Sequence, residues 1–435
     1  MIRSFVAALL LSATLGACQA EKPAAPTDTL NAIARDYVRL SLTIGEKEEG
    51  YIDAYYGPPA LQDAAKADAP NATLDQLAER VAALQARAVA ATPSSADQSL
   101  DARRARFLVA QLTAAATRLR MMRGEKLPFA EEAMGLFGVA PDLRPLSAYD
   151  PVLAKIATLV PGSGELAERV DAFQNRFNIP KDRLKPVFDT AIAECRKRTL
   201  SNIALPTNES FTLEFVTGKS WSGYNYYKGK AHSLIQVNTD LPIRISRAVD
   251  LGCHEGYPGH HALNTLLEQR LTDRRKWVEF SVYPLYSPQS LIAEGSANYG
   301  IDLAFPGRDQ LTFETATLYP LAGLPTAEAG KYLALNKVVR DLAGARFTIA
   351  RDFLERKIDR TEAVRLTRKY QLVSQARAEK AIDFTTQYRS YVINYGLGQD
   401  MVRAYVEAAG PDPKARWARM EKLLSEPTLP SDLKP

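Results

Sequence analysis

Proline stands at position 258, inside the window His254-Glu255-Gly256-Tyr257-Pro258-Gly259-His260-His261, and it limits how that stretch can fold. Two histidines four residues apart, as in H-E-x-x-H, share one helix face and bring two imidazoles to one metal. Here the position four after His254 is the proline itself. Proline cannot donate a backbone bond to the His254 carbonyl, and Gly259 beside it is conformationally free. On an unbroken helix, at about 100° per residue, His260 falls roughly 240° around from His254. His261 returns to within about 20°, but roughly 10.5 Å further along the axis. The window therefore reads as His-Glu-x-Gly-His with a two-residue insertion and a bulge or break at Pro258-Gly259. His260 is the favoured second ligand beside His254, and His261 is the alternative.

The chain has only four histidines, so a metal site has few other sources of imidazole. His232 lies outside the window and reads as a structural or loop residue. A carboxylate must complete the set, and Glu294 is the candidate, on a helix opened by Ser287 and Pro288. Asn298, one turn further on, reads as a residue that orients a ligand from behind. Glu255 sits next to the first histidine, where a carboxylate acts on a metal-held water.

The N-terminus reads Met-Ile-Arg, then apolar from Phe5 to Leu11, then small residues to Cys18. This is a signal peptide over 1–17, and Leu15-Gly16-Ala17-Cys18 resembles a bacterial lipobox with Cys18 as the lipidated residue. An ordinary secretory signal cleaved near Ala17 or Ala20 is the alternative. Gln19 in place of Asp points to the outer membrane, facing the periplasm, and residues 18–28 read as a tether. Cys195 and Cys253 either pair in an oxidising compartment or remain buried thiols. The net charge of +5 is too small and scattered for a nucleic-acid binder.

Apolar spacing predicts helices over 74–91, 100–123 and 181–199, so 29–205 reads as a helical N-terminal lobe and 206–435 as the catalytic region. Arg118, Arg120 and Arg123 read as a solvated helix face. Alternation over 211–216 and 233–238 predicts two strands, separated by an aromatic loop with Tyr224, Tyr226 and Tyr227 as core or cleft residues. Asp240 and Pro242 are start signals for the helix that runs into the histidines, and 327–424 is again helical. The fold class is mainly α, with a small β element beside the histidine helix. The 233–238 strand reads as a place for an extended substrate to pair. Gly218-Lys219-Ser220 lacks the spacing of a phosphate loop, and a Cys253–His254 nucleophile pair has only chain adjacency behind it.

The window 254–261 matches throughout the His-Glu-Ala/Gly-Tyr-Pro-Gly-His-His signature of the domain-of-unknown-function 885 family, and the chain resembles that family. A downstream Glu-Gly-Trp-Ala-Leu-Tyr-like segment is met by Glu294-Gly295-Ser296-Ala297-Asn298-Tyr299, with Ser for Trp. Asn394-Tyr395-Gly396-Leu397-Gly398 keeps the Tyr and Gly of a C-terminal turn. The resemblance implies a gluzincin-like, α-helical metallopeptidase-like fold with lobes around a cleft. It implies zinc held by His254, His260 and Glu294, Glu255 as general base, and Tyr395 as a donor to the oxyanion. The functional expectation is a zinc-dependent peptidase acting on a peptide or other amide and anchored to the membrane by lipid at Cys18. Its rivals are a metallohydrolase of non-peptide amides or esters and a non-catalytic metal-binding scaffold lipoprotein.

Overall fold

The computed structural model describes residues 29–94 and 96–434; the signal peptide, Cys18 and the tether lie outside the described residues. Among the described residues the chain is mainly helical, with five short strands: β1 (Ile52–Tyr55), β2 (Ser210–Val216), β3 (Gly223–Gly229), β4 (His232–Asn238) and β5 (Val282–Pro284). Among the described residues no helix is long and apolar enough to cross a membrane.

The two long N-terminal helices form where spacing predicts them, as Leu74–Ala90 and Leu100–Met122. Each starts on a hydroxyl cap that satisfies an orphan backbone N–H. Thr73 Oγ1 accepts from the Gln76 N–H while the Gln76 side chain accepts from the Thr73 N–H, and Ser99 Oγ accepts from the Ala102 N–H. The arginines at 118–123 are more engaged than a solvated face implies. Arg118 pairs with Glu48 and lies 3.8 Å over the Tyr286 ring, while Arg123 bonds Asp75. The third expected helix runs Leu184–Leu200, and β2 opens after it at Ser210.

β2, β4 and β3 form one sheet with β4 in the middle, parallel to β2 and antiparallel to β3. The aromatic segment expected as a loop is β3 itself: Tyr224 pairs with Gln236 and Tyr226 with Leu234. Aromatic side chains suit a half-buried pleat, and a partner strand was at hand. Both edges of β4 are consequently occupied, so substrate pairing on that strand is ruled out; β3 is the edge next to the histidines. The helix expected from Asp240 begins only at Ser246. Residues before it are drawn into extended pairing with the chain around Asn178, through Ile179 N–H to Ile243 O at 2.8 Å and Ile245 N–H to Phe177 O at 2.8 Å.

The helix Pro288–Ala304 is the centre of the molecule, with 15 of its 17 residues buried. A helix covered on every side needs close neighbours, and two glycines supply one. A Cβ at Gly295 would meet the Gly398 carbonyl oxygen at 2.5 Å, and one at Gly398 would meet the Leu291 carbonyl oxygen at 2.8 Å. The helices Pro288–Ala304 and Ile393–Glu407 thus cross backbone on backbone. That crossing carries Glu294 up to the turn holding Tyr391 and Tyr395.

Candidate metal centre

The helix from Ser246 widens into a π-helical turn over Gly252–Gly256, and the chain leaves it at Tyr257 in an extended conformation. The Tyr257–Pro258 bond is cis, and a new helix starts at His260. The expected break at Pro258-Gly259 is therefore present. It is held by the Gly259 N–H donating to the Cys253 carbonyl at 3.0 Å. A Cβ at Gly259 would lie 1.8 Å from the His254 carbonyl oxygen, so glycine alone fits that turn. Cys253 is also bonded to Cys195 as a disulfide with a Cα–Cα separation of 5.4 Å, which ties the turn to the Leu184–Leu200 helix. Of the two readings of these cysteines, pairing is the one found.

The break turns His260 back onto His254. Their Nε2 atoms are 3.1 Å apart, and Glu294 Oε2 is 3.1 Å from His254 Nε2 and 3.8 Å from His260 Nε2. All three side chains are nearly inaccessible to solvent. Glu294 Oε2 is buried and makes no hydrogen bond, although its Oε1 accepts from the Tyr391 hydroxyl at 2.8 Å. Two imidazole nitrogens and a carboxylate oxygen gathered at one buried point need either shared protons or a cation between them. Ligands about 2.0–2.1 Å from a tetrahedral zinc stand roughly 3.3–3.4 Å from one another. The observed triangle brackets that spacing, and two imidazoles with one carboxylate are a donor set zinc takes. The residues fit the ion.

His261 does not share the point. Its Nδ1 faces Ser233 Oγ at 2.8 Å and its Nε2 faces Glu209 Oε2 at 3.0 Å, in a fully buried position. With both ring nitrogens committed, the alternative of His261 as second ligand falls. The break at Pro258-Gly259 delivers His260, the residue favoured from sequence, to the point instead. Glu209 also takes bonds from Tyr257 and Arg196. Burial pushes its carboxyl up, but the bonds from His261, Tyr257 and Arg196 outweigh this and hold it at about 2. This ion-paired knot supports the window from beneath. His232, expected as structural, faces Ser210 Oγ at 3.0 Å at the start of β4.

Glu255 is buried, and its carboxylate lies within 4.8 Å of the nitrogens of His254 and His260. Burial raises it to about 7; His254 and Arg247 pull it down, and Glu294 and Asp53 push it up. The β3 backbone presses on it, because a Cβ at Gly223 would be 2.7 Å from Glu255 Oε1. Burial, with His254 beside it, lowers His260 to about 4 against the pull of Glu294, so its imidazole is neutral. For Glu294, burial raises the carboxyl, but His254, His260 and Tyr391 outweigh it and hold it below the ordinary range.

The Tyr395 ring stacks on the His254 ring at 6.4 Å and 20°, on the wall of a cleft of about 1160 Å³ that opens onto the histidines. Asn298 does not reach the Glu294 carboxylate. It donates to the Glu294 backbone carbonyl at 3.0 Å and the Tyr395 carbonyl at 3.3 Å, joining the two crossing helices. The support expected of Asn298 comes from Tyr391. Two further residues were not anticipated from sequence, Asp53 and Arg346. Burial pushes Asp53 up to about 7, against the hydrogen bond it accepts from Tyr224.

No protein-family model matches the chain, and no curated protein matches it by sequence. The chain is similar to a solved structure of a protein assigned as a lipoprotein from Colwellia psychrerythraea, at 15% identity over 85% of this chain and 70% of that one, with a TM-score of 0.48. It is also similar to the M32 carboxypeptidase from Deinococcus radiodurans R1, at 13% identity over 90% of this chain and 88% of that one, with a TM-score of 0.46. Overlap at these TM-scores carries no weight for function.

Proposed function

We propose that the chain is a zinc-dependent hydrolase of peptide bonds, with His254, His260 and Glu294 as the metal ligands and Glu255 as the proton acceptor. The observation that carries this reading is the buried convergence of two imidazole nitrogens and a carboxylate oxygen beside a second carboxylate, at the floor of a cleft. A structural zinc site closes with four protein ligands; three donors facing open space suit catalysis. Zinc held there supplies Lewis acidity toward a water and a carbonyl oxygen.

The chain's own residues do the rest. Glu255, poised near neutrality, takes a proton from the attacking water at a carboxylate oxygen and returns it to the departing amine nitrogen. The Tyr395 phenol, on the same wall as His254, donates to the carbonyl oxygen as charge builds on it. Tyr391 fixes the Glu294 carboxylate through Oε1 and leaves Oε2 for the metal. An extended substrate lies along the β3 edge near Gly223, in reach of Glu255.

The same proposal puts the protein in the cell envelope, lipid-anchored at Cys18 and facing the periplasm. A disulfide beside the centre fits an oxidising compartment. The test of the mechanism is Glu255→Gln. The variant is expected to keep its metal and to lose roughly 10²- to 10⁴-fold in peptide hydrolysis. Undiminished hydrolysis by that variant would contradict the role of Glu255.

A further inference from the structure

Arg346 enters the same cleft from the helix Ala343–Leu354. Its guanidinium carbon lies 5.3 Å from the centre of the Phe384 ring and 5.6 Å from that of Tyr395. Its Nε is buried without a hydrogen-bond partner. Among the described residues no carboxylate pairs with it. Other guanidiniums of the cleft have partners: Arg244 pairs with Asp171, Arg247 with Asp250, and Arg340 and Arg403 share Asp302, while Arg377 and Arg416 donate to the Pro242 and Gly410 carbonyls. A guanidinium does not shed its proton at any ordinary pH, and a half-buried one on the wall of a cleft is favoured by an anionic partner. Two aromatic faces lower the dielectric around it and offer it no counter-ion.

The location narrows what that partner is. The Tyr395 ring touches both Arg346 and, at 6.4 Å, His254, so the guanidinium lies within about 12 Å of the His254 ring, the sum of the two separations. An extended residue spans about 3.3–3.6 Å, so an anion at Arg346 belongs to the substrate within about three residues of the bond at the metal. A planar fork of donors matches a carboxylate.

We propose that Arg346 binds a carboxylate of the substrate, within about three residues of the cleaved bond, and thereby selects anionic peptides; this rests on the hydrolase reading above. The carboxylate comes either from a free C-terminus or from an acidic side chain. Three peptides of one sequence separate these sources: the free acid, the C-terminal amide, and the amide with a Glu placed next to the cleaved bond. The expected result is kcat/KM for at least one anionic form roughly tenfold to a hundredfold above the neutral amide. Preference for the free acid alone identifies the C-terminus, and equal preference for the Glu-containing amide identifies a side chain. Arg346→Met is expected to bring the ratio to near one. Arg346→Lys keeps the charge without the fork and retains part of it, which covers the case in which the methionine variant does not fold.

A second readout needs no turnover. Calorimetric binding of the same peptides to the purified protein is expected to favour the anionic forms at least tenfold, and Arg346→Met is expected to abolish that preference. Equal binding and equal turnover of all three peptides by the unaltered protein would overturn the proposal. Preserved anion preference in binding, with no peptide cleaved, would support the carboxylate site and sink the hydrolase reading instead.

Discussion

Tyr391 holds one oxygen of Glu294 and leaves the other to face the two imidazoles, so a single hydroxyl helps set the carboxylate orientation on which the proposed zinc site depends. Tyr391→Phe removes only that oxygen. It is expected to weaken zinc binding by roughly 10- to 100-fold, read by competition with a chromogenic chelator, with little change in the fold. Unchanged affinity would mean that Glu294 needs no such support. A second prediction concerns Glu314, far from the centre. Burial pushes its carboxyl up to about 7, against a bond from Gln310 at 2.8 Å. The folded value exceeds the unfolded one, so the neutral form is favoured in the fold. The associated stability is complete below about pH 4.5 and is lost as pH rises through about 7. Glu314→Gln should therefore match the parent near pH 4 and exceed it by roughly 3 kcal/mol above pH 8 in urea unfolding. An equal difference at both pH values would refute it.

At this scale the histidine window was readable because its donors are neighbours in the chain. Tyr391, Asp53 and Arg346 were not, since each stands far from the window and carries no spacing signal. The choice between His260 and His261 depended on the geometry of a break that residue identities announce but do not dimension.

Among the elements, the crossing of Pro288–Ala304 with Ile393–Glu407 aims Glu294, and it depends on glycine at both contact points. Gly295→Ala pushes a methyl group into the Gly398 carbonyl, a backbone obstacle that cannot rotate away. The expected cost is about 1–3 kcal/mol, with weaker metal binding because the adjacent Glu294 shifts. A melting curve and metal titration indistinguishable from those of the parent would show that the helices tolerate separation. The long helices were legible from apolar period and capping hydroxyls. The sheet was only half legible. Alternation located β2 and β4, but pairing partners leave no trace in alternation, so β4 was read as open when β2 and β3 flank it. β1 and β5 are short strands that make a two-stranded sheet with each other, and neither has enough length for a pattern.

For the molecule as a whole, function depends on convergence. Glu255 comes from a π-helical turn, Glu294 from the buried central helix, Tyr395 from a C-terminal helix and Asp53 from β1, all lining one cleft. Sequence offered the candidate donors and two of the aromatic residues of the wall, Tyr224 and Tyr395, but a cleft is a property of packing, and the arrival of Arg346 in it leaves no trace in spacing. The central claim is that His254, His260 and Glu294 hold one zinc ion. The measurement that meets it most directly is the zinc content per polypeptide after zinc loading and exhaustive dialysis, by elemental mass spectrometry. The account predicts about one zinc per chain in the parent protein and in Glu255→Gln, and close to none in Glu294→Ala. A parent protein that retains no zinc, or a Glu294→Ala variant that retains a full equivalent, would contradict it.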